Sequence, residues 1–122
     1  MNPEANVAKV PLGAAERRKF PRYRYSAPLI VRPANAPDLR AMSVEISECG
    51  ASAVISALLK VGDTVELEPI GGGAVSAVLR RSCGRFCAFE FLNLTKEQAG
   101  KIKEMCRMLP LYHSRTLDLW ER

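Results

Sequence analysis

The stretch AVSAVLRRSCGRFCAFEFL, residues 74–92, sets two apolar runs either side of Cys83-Gly84. Runs of eight or nine residues rich in Val, Ala, Leu and Phe, broken by a glycine, read as two strands of a hairpin: 74–82 and 85–92. Upstream, GGG at 71–73 is a flexible hairpin connection. A phosphate-cradling loop is excluded there because no Lys-Ser/Thr follows at the required spacing. It joins TVELEPI (64–70), where Val65, Leu67 and Pro69 oppose Glu66, Glu68 and Ile70.

The same pattern continues towards the N-terminus. Val61-Gly62-Asp63 is a turn, ASAVISA (51–57) a strand and SECG (47–50) the punctuation before it. LRAMSVEI (39–46) alternates imperfectly, with Leu39, Ala41 and Ser43 on one face and Met42, Val44 and Ile46 on the other. SAPLIVRP (26–33) is the first strand, followed by a turn at 35–37. Six short strands with brief turns predict a mainly β fold, a small six-stranded antiparallel β-barrel.

A C-terminal α-helix follows the strands. Thr95 with Gln98 forms a capping box, Leu94 and Ala99 take the staple positions, and Ala99, Ile102, Cys106 and Leu109 make one apolar stripe ending before Pro110. Such a helix must lie against the barrel. Residues 110–122 form a tail with Tyr112, Leu117, Leu119 and Trp120, which docks on the domain or on a partner; residues 1–15 lack any apolar period and read as a flexible leader.

Charge is concentrated in one place. Of 18 Lys/Arg and 13 Asp/Glu, six and two fall at or before Tyr25, leaving twelve and eleven beyond it, so +4 of the net +5 belongs to the first 25 residues. ERRKFPRYRY (16–25) holds most of it. A concentrated cluster suggests a defined anionic partner or a mobile arm rather than a generally basic surface. Pro21 removes a helical donor and biases Phe20 away from helix, so the segment is extended or turned. Its guanidinium groups suit phosphate, the guanine edge and base faces.

Several classes are set aside. No apolar run approaches the ~20 residues of a spanning helix, and no secretory signal opens the chain, so no membrane insertion and a cytoplasmic location are expected. Cys49, Cys83, Cys87 and Cys106 show no CxxC spacing and, with the single His113 in the tail, give no metal-ligand pattern. No nucleophile–base or paired-carboxylate arrangement is visible, so an enzyme is not expected.

Two stretches taken together carry a family resemblance. RKFPR (18–22) and EISECG (45–50) resemble the RxxxR arm and the [DN]xSxxG turn of the PilZ domain, and the strand count, spacing and terminal helix are similar over residues 16–109. The resemblance implies a PilZ-like split barrel that binds cyclic di-GMP, a bacterial second messenger, as a ligand and needs no cofactor. Arg18 and Arg22 would then hold phosphates and guanine faces, Glu45 would accept from guanine N1–H and N2–H₂, Ser47 would bond near a phosphate or guanine edge, and Gly50 would supply the tight turn. Arg17 stands where an arginine accompanies binding of two stacked ligand molecules.

Two residues depart from the family pattern. Glu45 replaces Asp or Asn, extending the head group by ~1.5 Å, and loss of one well-aligned charged hydrogen bond would weaken binding by ~1.5–3 kcal/mol. Ala88 replaces a glycine in CAFEF (87–91) and narrows the room beside the ligand. The resemblance further implies signalling to a downstream protein, of motility, polysaccharide or pilus machinery, through ordering of the arm. A non-binding PilZ-like adaptor is the alternative. A single-stranded nucleic-acid barrel, with Phe20, Tyr23 and Tyr25 stacking on bases, is a third reading, although nucleic acid is not the expected partner.

Overall fold

The computed structural model describes residues 20–57 and 59–111. The leader, Arg17, Arg18, His113 and the apolar tail residues from Tyr112 to Trp120 lie outside the described residues. In chain order the elements are β1 (Tyr23–Arg24), β2 (Pro28–Pro33), β3 (Leu39–Ile46), β4 (Gly50–Ile55), β5 (Thr64–Ile70), β6 (Gly73–Cys83), β7 (Phe86–Leu92) and α1 (Lys96–Arg107).

Every strand pair is antiparallel. The order β3-β2-β5-β6-β7-β4 closes on itself through β3–β4, giving the expected six-stranded barrel. Tyr23–Arg24, read from sequence as part of an extended or turned arm, is a seventh strand outside the ring, paired to the end of β3. Residues facing inward fill the barrel: Leu29, Val31, Ile46, Leu67, Leu79 and Phe89 are all buried in one cluster.

Turn chemistry fixes the hairpins. Ile70 pairs with Gly73 across Gly71 (φ 61°) and Gly72 (φ 86°), a two-residue loop with positive φ at both positions that only glycine adopts easily. Gly73 is therefore the first residue of β6 and not part of the connection, which corrects the three-glycine reading. The 83–86 hairpin turns through Gly84 and Arg85, since Cys83 pairs with Phe86. A register shift between Leu67 and Ile70 also reverses one expected face: Ile70 is buried and Pro69 exposed.

The helix starts as its sequence predicts. Thr95 accepts from Gln98 N at 3.0 Å while Gln98 Oε1 accepts from Thr95 N at 2.9 Å. The apolar stripe is narrower than expected, because Ala99 is exposed and Gln98 turns inward, its Nε2 donating to Ala74 O at 3.1 Å. Ile102 and Cys106 are fully buried against the barrel cluster, with Met105 and Leu109 beside them. Burying Ile102 alone contributes about 2 kcal/mol. The antiparallel ladders put the β3–β4 and β5–β6 turns at one end of the barrel, and α1 closes that end, with Ile102 near Gly71. No helix among the described residues is long and apolar enough to cross a membrane.

Burial within the barrel and under α1 is readable in the thiols. Burial, with the nearby Glu48 carboxylate, pushes the Cys106 thiol up to about 11, and burial raises Cys87, whereas Cys49 and Cys83 are exposed. Alkylation of the folded protein at pH 8, followed by mass spectrometry, should modify Cys49 and Cys83 and leave Cys87 and Cys106 until the chain is denatured. Labelling of Cys106 as fast as Cys83 would show that α1 does not seal the barrel.

Candidate functional site

β3 carries an irregularity that decides where its acid points. Ser43 pairs with Ala53 and Glu45 with Ser52, so Val44 is an extra residue, a β-bulge. Before it, Leu39 and Ala41 pack on the core while Met42 faces solvent; after it, Ile46 is the core residue. Unbroken alternation would have sent Glu45 inward with Leu39, Ala41 and Ser43. The bulge turns Glu45 to the outer surface of the barrel.

The arm covers that surface. β1 runs antiparallel to the end of β3 with Tyr23 opposite Ile46 and Arg24 opposite Glu45. Tyr23 and Tyr25 alternate onto the core cluster. Arg22 Nε lies 4.0 Å from Glu45 Oε1, with the arginine side chain 23% and the glutamate side chain 7% exposed. Beneath, Ser52 Oγ donates to Glu45 Oε2 at 3.1 Å.

Ser43 fixes the exit of the arm. It is 1% exposed, its backbone N–H donates to Ala27 O at 2.8 Å, and its Oγ accepts from Ala27 N at 2.9 Å. The same hydroxyl lies within reach of the carbonyls of Tyr25 and Ala27. On the other side of β1, Arg24 N donates to Pro110 O at 2.8 Å and Tyr23 pairs with Leu111. The strand of the arm is thus held between β3 and the segment that follows α1.

The turn after β3 is braced from within. Ser47 N donates to Gly50 O at 2.8 Å, Cys49 N donates to Ser47 Oγ at 3.2 Å, and Phe91 N donates to Cys49 O at 2.9 Å. Ser47 is 6% exposed and its hydroxyl also lies 3.4 Å from Gly50 O. Gly50 is needed for close approach, not for a left-handed backbone: a Cβ there would sit 2.2 Å from Phe89 O.

Arg22, Glu45, Ser47 and Gly50 are therefore brought together on one edge of the barrel; Arg17 and Arg18 lie outside the described residues. Ser52 and Ser43 were not singled out in the sequence. Their signal is a hydroxyl within a mainly apolar strand, and it becomes meaningful only once the bulge fixes which face each serine takes. A surface groove of about 460 Å³ lined by Arg32, Glu66, Ser76 and Leu92 shares no residue with this cluster. Among the described residues no group of three His, Cys, Asp or Glu is placed to hold a metal ion.

A sequence model of the PilZ domain matches residues 16–108. The chain belongs to the PilZ domain family. Solved PilZ structures share its fold. The PilZ domain of YcgR from Escherichia coli, a structure with c-di-GMP, matches at TM-score 0.62 and 20% identity, covering 76% of this chain and 91% of that one. The inhibitor of motility MotI/DgrA of Bacillus subtilis matches at TM-score 0.62 and 19% identity, over 75% of this chain and 50% of that one. The PilZ domain of CeSA from a cellulose-synthesizing bacterium matches at TM-score 0.59 and 16% identity, covering 71% and 95%. No curated protein sequence matches the chain.

The glycine of the PilZ turn gives a direct stability test. Gly50→Ala forces the methyl against a backbone carbonyl in the β4–β7 ladder, so it should destabilise folding by about 3 kcal/mol and lower the melting temperature by on the order of 10 °C. Thermal unfolding followed by circular dichroism checks this, and an unchanged midpoint would contradict the close packing of Gly50 on Phe89.

Proposed function

We propose that this PilZ domain is a cyclic di-GMP receptor that signals to a partner protein through its N-terminal arginine arm. The observation that carries the reading is the convergence of the two motifs: Arg22 from the arm lies against Glu45, two residues before Ser47, on the outside of β3. The E. coli YcgR PilZ domain, described with c-di-GMP, supports the choice of ligand. Arg18 and Arg22 grip phosphate and guanine, Glu45 accepts from the guanine edge, Ser47 with Gly50 shapes the turn beside it, and Arg17 recruits a second stacked ligand molecule.

Chain ordering has a definite place in this proposal. Tyr23–Arg24 is already paired on both sides, so the ligand acts on the arm N-terminal to Tyr23. Fixing each residue costs ~1–2 kcal/mol, and several charge-assisted contacts must offset it. Arg22 already has Glu45 as a counter-ion, so the phosphate must share or displace that carboxylate.

That ion pair also favours a second reading, a PilZ adaptor that uses its surface without the nucleotide. The nucleic-acid reading loses ground because Tyr23 and Tyr25 lie partly buried against the core, where their faces are not offered to bases. Titration calorimetry separates these. The chain should bind cyclic di-GMP with a ligand:protein ratio of two and reject cyclic di-AMP. Arg22→Ala should lose at least tenfold in affinity, and a gain for Glu45→Asp would show the added methylene to be a handicap. A ratio of one would remove the stacked pair; no heat of binding from either the parent chain or Glu45→Asp would leave the adaptor reading.

A further inference from the structure

The acid at position 45 is one methylene longer than the Asp or Asn of its family motif, yet its carboxylate is held in one place. Glu45 and Ser52 are directly opposed on β3 and β4, on the outer side of the barrel, and are only 5% and 2% exposed. Ser52 Oγ donates to Oε2 at 3.1 Å, while the Arg22 guanidinium stands 4.0 Å from Oε1. The two oxygens are therefore addressed from opposite sides, one by the neighbouring strand and one by the arm.

We propose that Ser52 is a positioning residue for base recognition: it tethers Glu45 so that, once Arg22 turns from Oε1 to the ligand, the longer side chain presents a fixed pair of acceptors to guanine. This rests on the receptor reading above. The extra methylene gives glutamate one more rotatable bond than aspartate, and an untethered carboxylate would have to freeze that torsion on binding. A hydroxyl on the strand partner freezes it beforehand. Each carboxylate oxygen has two acceptor positions, so Oε2 keeps one for a ligand donor while holding Ser52. Guanine offers two donors, N1–H and N2–H₂, to such a pair; hypoxanthine offers N1–H alone, and adenine offers an acceptor at N1. Ser52 thereby sets selectivity for guanine without touching the base.

The test is a double-mutant cycle by calorimetry on the full chain, with cyclic di-GMP and with its hypoxanthine analogue cyclic di-IMP as ligands. The variants are Ser52→Ala, Glu45→Asp and the pair. Ser52→Ala should weaken cyclic di-GMP binding about tenfold and cyclic di-IMP binding markedly less, shrinking the preference between the two. In the Glu45→Asp background, whose shorter side chain needs no tether, the same change should cost less than about threefold. A Ser52→Ala loss that is equal for both ligands, or equal in both backgrounds, would reduce Ser52 to a packing residue and overturn the proposal. So would an unchanged affinity. If neither the parent chain nor Glu45→Asp binds cyclic di-GMP, the receptor reading itself falls, and that outcome is visible before any change at Ser52.

Discussion

Everything at the candidate site depends on a single inserted residue in β3. Val44 breaks the two-residue period of the strand, and the break lets the same eight residues feed a hydrophobic core with Leu39, Ala41 and Ile46 while placing a carboxylate on the outside. A carboxylate sent into the interior would need a charged partner there or would cost several kcal/mol in lost hydration. The bulge keeps Glu45 out of the apolar core, and although only 5% exposed the carboxylate has two neighbours that suit it, a hydroxyl from β4 and a guanidinium from the arm. Bulges bend their strand and strengthen its twist, and here the bend comes where β1 lies along β3.

The barrel supplies rigidity and the arm supplies reach. Residues that place the site are anchored through backbone and small hydroxyls: Ser43 fixes the chain between β1 and β2, the Ser47 turn is tied to β7 through Cys49 and Phe91, and Gly50 lets β4 approach β7. At the site itself the long side chains are Arg22 and Glu45, which face each other on the outer side of β3. α1 closes the same end of the barrel, with Glu48 of the turn acting on Cys106 of the helix, so the site and the cap share a boundary.

The fold was largely legible because strands, glycine turns and the capping box are local signals, each set within a few residues. Six strands and the helix start follow from alternation, from Gly71, Gly72 and Gly84, and from Thr95 with Gln98. The misread details are those where local pattern yields to a register shift: Pro69 and Ile70 exchange faces, Ala99 leaves the buried stripe and the imperfect alternation of 39–46 resolves into a bulge. The motif residues of the site were legible through resemblance, whereas their supports were not. Ser52 and Ser43 matter only through the strands opposite them, and no spacing along the chain encodes that neighbour. The pairing of Tyr23 with Leu111, 88 positions apart, is likewise a property of closure and not of either segment.

That last pairing has a mechanical corollary. Because Tyr23 and Leu111 are antiparallel neighbours, the bridge ties the start of the arm's strand to the residue that follows Pro110. A pull across that bridge would open it one contact at a time, since among the described residues the Tyr23–Leu111 pairing and the bond from Arg24 N to Pro110 O join the two segments. Arg22, the neighbour of Tyr23 in the chain, thus stands one residue from the contact that a pull would open first.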